Sequence, residues 1–65
     1  MKVRKVISLL EVDGWFCVHT KGDHRQYKHS VKRGRVTVAG HVSDELHPKT
    51  LASIFKQAQI EKKII

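Results

Sequence analysis

The chain has 65 residues, with 13 Lys and Arg against six Asp and Glu and a formal net charge of +7. At this length we expect one domain over residues 1–65, with a small core and no deep catalytic cavity. The single cysteine, Cys17, excludes an intramolecular disulfide, which suits a reducing cytoplasm. No run approaches the ~20 apolar residues of a membrane span, and the first ten residues lack the sustained apolar core of a signal peptide. We therefore expect a cytoplasmic protein with no membrane partner.

The excess of basic residues gives this small chain a positive field that attracts polyanions. Nucleic acid is the first candidate partner. An anionic membrane surface is the second, but the sequence lacks a basic amphipathic helix with exposed aromatic residues. A third interpretation is that the charge only keeps a small protein soluble.

The first half of the chain predicts a helix followed by a strand. In residues 2–13 apolar side chains recur at i, i+3, i+4 and i+7 from Val3, the period of an amphipathic helix. Gly14 then supplies a helix stop. Residues 15–20 are rich in aromatic and β-branched side chains and predict a strand. A short turn at residues 21–23 ends this strand.

The middle of the chain predicts a hairpin and a third strand. The second strand begins at His24 or Arg25 and ends at His29. Residues 30–34 contain Lys-Arg-Gly and are typical of a hairpin loop. Residues 35–39 hold alternating β-branched side chains and predict the third strand.

The last third of the chain predicts a second helix. Residues 40–47 form a polar connection, and Pro48 suits the first turn of a helix because its φ is fixed. From Leu51 the apolar side chains again follow i, i+3, i+4 and i+7. Residues 60–65 are predicted to be a tail.

The element order α-β-β-β-α predicts an α+β fold. Two amphipathic helices on one face of a three-stranded antiparallel sheet form a two-layer sandwich, with the other face open to solvent. In the first strand either Phe16 and Val18 or Trp15 and Cys17 face the helices. We expect Phe16 and Val18 to do so, with Trp15 covering a helix end. Cys17 is expected to pack as a small apolar residue.

Four short motifs lie in an order and spacing that resemble a known family. They are GW at residues 14–15, GxHxxY at 22–27, TVxxH at 37–41 and TLxxIxKQAxI at 50–60. Together they resemble the HicA toxins, small ribonucleases of bacterial and archaeal toxin–antitoxin pairs. The resemblance implies a fold like that of double-stranded-RNA-binding domains, cleavage of mRNA and a HicB-type antitoxin as partner. It also implies that His24 is the catalytic residue, since the family's catalytic histidine lies in the same turn.

The chain departs from the family pattern at three positions. Asp23 stands where the family usually has Ser, and a carboxylate beside His24 either suits an acid more than a base or weakens the site. Ala39 replaces a usual Pro. Gln59 replaces a frequent Gly near the end of the second helix, which changes how that helix ends but not the chemistry.

Histidine chemistry suffices to cut RNA, because RNA carries its own nucleophile in the 2′-hydroxyl. An imidazole can take and return a proton near neutral pH, and Lys or Arg can stabilise the extra charge on the phosphate. The chemistry requires no metal and no small-molecule cofactor. The residues expected to bind RNA phosphates around His24 are Lys21, Arg25, Lys28, Lys32 and Arg33.

Other interpretations of these side chains stay open. A lone histidine in a turn is more often only a polar surface residue. His41 is either a second proton-transfer group or a loop anchor, and we favour the anchor. His19, His24 and His29 recur every five residues, but odd offsets along strands alternate faces, so no metal site is expected. The ring of Tyr27, like that of Trp15, could stack on bases, but a domain with four aromatic residues needs them for its core.

Two function classes follow, with a third behind them. The first is an endoribonuclease toxin held inactive by its antitoxin. The alternative is a non-catalytic RNA-binding module that reads A-form shape. Residues 47–50 argue against it, because they carry less charge than the Lys cluster that double-stranded-RNA-binding domains usually have there. The third is an inactive toxin that only binds its antitoxin.

Overall fold

The computed structural model describes residues 1–60, which form two helices and three strands in the predicted order. The elements are α1 (Val3–Val12), β1 (Trp15–Lys21), β2 (His24–His29), β3 (Val36–Ala39) and α2 (Pro48–Ala58). The strands form one antiparallel sheet in the order β1-β2-β3, so β2 lies in the centre. The predicted α+β architecture is confirmed, and it is compatible with a fold like that of double-stranded-RNA-binding domains. The predicted tail beyond Ile60 lies outside the described residues.

Both helices cover the same face of the sheet. The register pairs Tyr27 with Val36 and Arg25 with Val38, which puts these side chains on one side. Tyr27, Val36 and Val38 are at most 2% exposed. They form one cluster with Trp15 of β1 and with residues of both helices, namely Val3, Val6, Leu10, Ile54 and Ala58. Neither helix within residues 1–60 is long and apolar enough to cross a membrane.

The other face of the sheet is not covered by either helix, and we call it the open face. The register and the strand alternation assign eight residues to it, which are Phe16, His19, Lys21, His24, Gln26, Lys28, Thr37 and Ala39. All of these except Gln26 are exposed. This face is therefore open to solvent, as the sequence predicted.

The prediction that Phe16 and Val18 face the helices is wrong. Trp15 is 1% exposed, whereas Phe16 is 50% and Val18 43% exposed. The central strand decides the register, because Tyr27 must lie in the core and Cys17 is its partner on β1. A slip of one residue would move every side chain to the other face. Burying the larger Trp ring also removes more apolar surface from water than burying Phe.

The prediction that Cys17 packs as an apolar residue is also wrong. Cys17 shares the helix-facing side of β1 with Trp15, yet it is exposed, so neither helix covers the strand at this residue. Its Sγ lies 3.3 Å from the Thr20 hydroxyl. An irregularity between Cys17 and His19 breaks the regular pairing at this point.

The ends of α2 are set by local hydrogen bonds. His47 is the N-cap, since its Nδ1 accepts a hydrogen bond of 3.1 Å from the Lys49 amide, and Pro48 occupies the first turn as predicted. At the other end Gln59 adopts a left-handed conformation with φ 57° and ψ 40°. The Ile60 amide then donates to the carbonyl of Phe55 at 3.0 Å, as in a Schellman motif. The helix thus ends in the conformation that glycine favours, at a cost of about 1–2 kcal/mol for a residue with a side chain.

Candidate active site

His24 is the first residue of β2 and follows the tight turn of the β1–β2 hairpin. Gly22 in that turn has a φ of 60°, which favours glycine. His24 pairs with Lys21 on β1 and with Ala39 on β3, so it lies on the central strand of the open face. Its side chain is 66% exposed. The imidazole is therefore accessible although its backbone belongs to the sheet.

The backbone around His24 is tied to the end of β3. The Gly40 amide donates to the carbonyl of Asp23 at 3.1 Å. The Arg25 guanidinium Nη1 donates to the carbonyl of Gly40 at 2.8 Å and to that of Asp23 at 3.3 Å. The residues on both sides of His24 thus hold the hairpin against β3, which fixes the backbone that carries the imidazole.

The carboxylate of the preceding residue lies close to the His24 ring. Asp23 Oδ1 lies 3.3 Å from His24 Nδ1, and both side chains are substantially exposed. When Nδ1–H donates to this carboxylate, the neutral ring carries its lone pair on Nε2. Nε2 is then the atom that can accept a proton from a ligand.

The five basic residues predicted to bind RNA fall into two groups. Lys21 and Lys28 lie with His24 on the open face, and both are exposed, as is Arg33 in the β2–β3 loop. Arg25 lies on the helix-facing side, because it pairs with the buried Val38. Its guanidinium donates to the two carbonyls described above.

Lys32 makes contacts that join three parts of the fold. Its ammonium group donates to the Asp13 carboxylate at 2.5 Å and to the carbonyls of Ala58 and Gln59 at 3.2 Å each. The same carboxylate oxygen accepts a hydrogen bond of 3.2 Å from the indole of Trp15. The three N–H donors of Lys32 thus meet three acceptors, at the ends of α1 and α2. In this arrangement Lys32 stabilises the fold, whereas the sequence predicted a phosphate contact.

His29 is likewise held inside the fold. Its Nδ1 accepts from the amides of Val31 and Lys32 at 3.0 Å each, so its Nε2–H donates to the carbonyl of Asp13 at 2.7 Å. A Cβ on Gly14, whose φ is 101°, would lie 2.8 Å from that Nε2. The glycine of the GW motif is therefore required by close packing, and His29 has no free ring nitrogen for proton transfer.

His41 lies at the same end of the sheet as His24. It directly follows Gly40, whose amide bonds to Asp23, and its own amide donates to the Asp44 carboxylate at 3.1 Å. The loop that it begins connects to α1, because the Arg4 amide donates to the carbonyl of Val42 at 3.0 Å. The His41 side chain is exposed.

The charge of the open face is positive. None of the three strands contains Asp or Glu, and Lys21 and Lys28 stand on either side of His19 and Gln26 in the pairing pattern. Arg35, just before β3, donates to the Gln26 amide oxygen at 2.8 Å. Sequence reasoning missed the exposure of Phe16 and the place of His19 on this face. Only the cross-strand pairing could have revealed either.

The described residues form no evident metal site, and the comparison with curated proteins adds no relative. Among residues 1–60, no group of three or more His, Cys, Asp and Glu side chains is placed to hold a metal ion. A search of the curated proteins found no match.

The family described as the HicA toxin of bacterial toxin–antitoxin systems matches residues 3–60. That span covers both helices, all three strands and the hairpin that carries His24. Since the match takes in nearly all of the 65 residues, this chain belongs to the HicA toxin family.

Proposed function

We propose that this HicA toxin is a metal-independent endoribonuclease that cleaves mRNA, with His24 as its general acid–base. One observation carries the proposal. His24 is an exposed imidazole on a positively charged sheet face, and its backbone is fixed on both sides by bonds to the end of β3. An exposed but positioned group is what proton transfer to a surface-bound polymer requires.

The reaction begins at the 2′-hydroxyl of the nucleotide before the cut. His24 Nε2 takes the 2′-hydroxyl proton, and the 2′-oxygen attacks the adjacent phosphorus. A bond forms between phosphorus and the 2′-oxygen while the bond to the 5′-oxygen of the next nucleotide breaks. The imidazolium returns the proton to that leaving oxygen. The products are a 2′,3′-cyclic phosphate and a free 5′-hydroxyl, and no water or metal enters the step.

Nearby cations stabilise the negative charge that develops on the phosphate. Lys21 stands directly opposite His24 across the strand pair, and Lys28 lies four residues along β2 on the same face. Arg33 is exposed in the loop beyond β2 and extends the positive surface. We assign phosphate binding to these three. Arg25 and Lys32 are assigned structural roles, because Arg25 Nη1 and Lys32 Nζ already donate to groups of the fold.

The inhibitor of such a toxin has to block the same surface. We propose a HicB-type antitoxin that covers His24 and directs acidic side chains at the positive open face, as charge complementarity favours. Because mRNA is the proposed substrate, we propose that the toxin and its antitoxin meet in the cytoplasm.

The experiment compares His24→Ala with His19→Ala, a matched control that removes an exposed histidine from the same face. Loss of a general acid–base lowers the rate by ~10²–10⁴-fold, so His24→Ala should be inactive and non-toxic on expression. His19→Ala should cleave close to the parent rate. The free energy of unfolding of each variant should lie within about 0.5 kcal/mol of that of the parent, because neither side chain is buried.

The outcome also separates the alternatives. Equal cleavage by His24→Ala and the parent would refute the assignment of His24. An RNA with a single 2′-deoxy nucleotide at the cut site should resist cleavage, because its nucleophile is missing. A parent protein that binds RNA without cutting it would favour the non-catalytic RNA-binding module. A parent that binds only its antitoxin would favour an inactive toxin.

A further inference from the structure

Phe16 is the aromatic ring that the fold leaves on the open face. Trp15 and Tyr27 are 1% and 2% exposed, and Phe55 is 1% exposed, so each of these three rings is buried in the fold. Phe16 is 50% exposed although it is paired with β2, as are the residues on either side of it. A half-exposed ring in a rigid strand costs free energy in water unless a partner covers it.

A cation stands beside this ring. Phe16 pairs directly with Lys28 across the two strands, and directly paired side chains have Cβ atoms about 4.5–5.5 Å apart. An aromatic face next to an ammonium group matches the two chemical parts of a nucleotide, a base that stacks and a phosphate that carries negative charge.

The pair is continuous with the site of His24. Lys28 lies four residues from His24 on β2, a distance of about 13 Å along the strand on the same face. The strands between them carry Gln26 and His19 and no acidic side chain. An RNA strand bound at His24 can therefore continue over Phe16 without meeting a repulsive charge.

We propose that Phe16 and Lys28 form a base-stacking subsite for single-stranded RNA, next to the cleavage site. A base stacks on the Phe16 ring, and Lys28 contacts the phosphate of the same or the adjacent nucleotide. The proposal rests on the proposed function for the identity of the polymer, and it adds the feature that the bound segment is unpaired. A base within a duplex has its faces covered by its neighbours and cannot stack on the ring.

The test measures binding without cleavage. The probe is a short single-stranded RNA in which every 2′-hydroxyl is replaced by 2′-methoxy, so the 2′-oxygen cannot attack. Affinity is measured by fluorescence anisotropy for the parent, for Phe16→Ala and Phe16→Tyr, and for Val12→Ala as a control. Val12 is 87% exposed on α1, away from the sheet. Thermal unfolding of each variant checks that the fold is retained.

Loss of one stacked base at 1–3 kcal/mol corresponds to weaker binding by about 5- to 150-fold, and we expect a loss in this range for Phe16→Ala. Phe16→Tyr keeps a ring and should bind like the parent, as should Val12→Ala. The loss should vanish with a probe whose bases are removed, because there is then nothing to stack. Lys28→Met should instead reduce the slope of log affinity against log salt by about 0.7, the value for one phosphate contact on a single strand.

Several results would overturn the subsite. If Phe16→Ala bound the probe as tightly as the parent does, the stacking subsite at Phe16 would be refuted. An equal loss with the base-free probe would show that the ring acts without stacking. If Phe16→Ala weakened only the binding of the antitoxin, the ring would belong to a protein interface. Because the probe is never cut, these results do not depend on whether His24 is catalytic.

Discussion

Arg25→Gln should lower ribonuclease activity by loosening the hairpin of His24, although the sequence pattern predicted that Arg25 binds RNA. The guanidinium lies on the helix-facing side of the sheet and donates to the carbonyls of Gly40 and Asp23 at 2.8 and 3.3 Å. These contacts tie the turn before His24 to the end of β3. Their loss should increase the motion of the imidazole relative to the bound phosphate.

The size of the effect follows from those two contacts. A hydrogen bond from a charged donor contributes about 1.5–3 kcal/mol, and the second contact here is long, so we expect Arg25→Gln to destabilise the fold by about 2 kcal/mol. In a domain of this size that loss lowers the melting temperature by about 8–16 °C. At a temperature where the variant is folded, kcat should fall more than KM rises, because positioning is lost and phosphate binding is kept.

The control is Arg33→Gln, which removes the same charge from an exposed loop residue. Calorimetry gives the melting temperature, and binding of the non-cleavable RNA at several salt concentrations gives the salt slope. Arg33→Gln should leave the melting temperature close to that of the parent and reduce the slope by about 0.7. Arg25→Gln should do the opposite. An unchanged melting temperature together with a reduced slope for Arg25→Gln would refute the positioning role and restore the phosphate contact.

Two predictions concern stability. Lys32→Met removes the ammonium group that joins the ends of α1 and α2, so it should cost about 1–2 kcal/mol in thermal unfolding, with the salt slope for RNA unchanged. The exposed Lys28→Met should cost less than about 0.5 kcal/mol, and an equal loss in both would contradict the role of Lys32. Burial raises the pKa of the Tyr27 phenol above 10.0. The buried neutral phenol therefore contributes its full stability below pH 10.0, and this contribution is lost as the pH rises through the raised pKa. Denaturant unfolding between pH about 8 and about 11 should therefore show a steeper loss for the parent than for Tyr27→Phe, and parallel curves would count against burial of the phenol.

Local patterns were sufficient for the elements and their order. The i, i+3, i+4, i+7 spacing from Val3 and Leu51 corresponds to the buried stripes of α1 and α2, because a helical stripe is a property of one segment. Gly22 before His24 predicted the hairpin, since a φ of 60° suits glycine. The position of His24 at the start of β2 followed from the same turn.

The use of the charged residues could not be predicted from local patterns. Lys32 and Arg25 look like their basic neighbours in the sequence, yet their partners are carbonyl and carboxylate groups from α2, β3 and the end of α1. His29 resembles His24 in the sequence as well, but both of its ring nitrogens are bonded to backbone. The decisive partners, which are Gly40 for Arg25 and Asp13 and Ala58 for Lys32, lie 15 to 26 residues away and become neighbours only when the layers assemble.

The sequence by itself therefore determined the number of elements, their order, the positive charge and the turn that carries His24. The tertiary structure decided which face of β1 is buried, and with it the exposure of Phe16 and the burial of Trp15. The physical reason is the period of a strand. Because side chains alternate along a strand, either face of an isolated β1 segment can be the buried one. The pairing of β1 with β2, which carries the buried Tyr27, selects the face that holds Trp15.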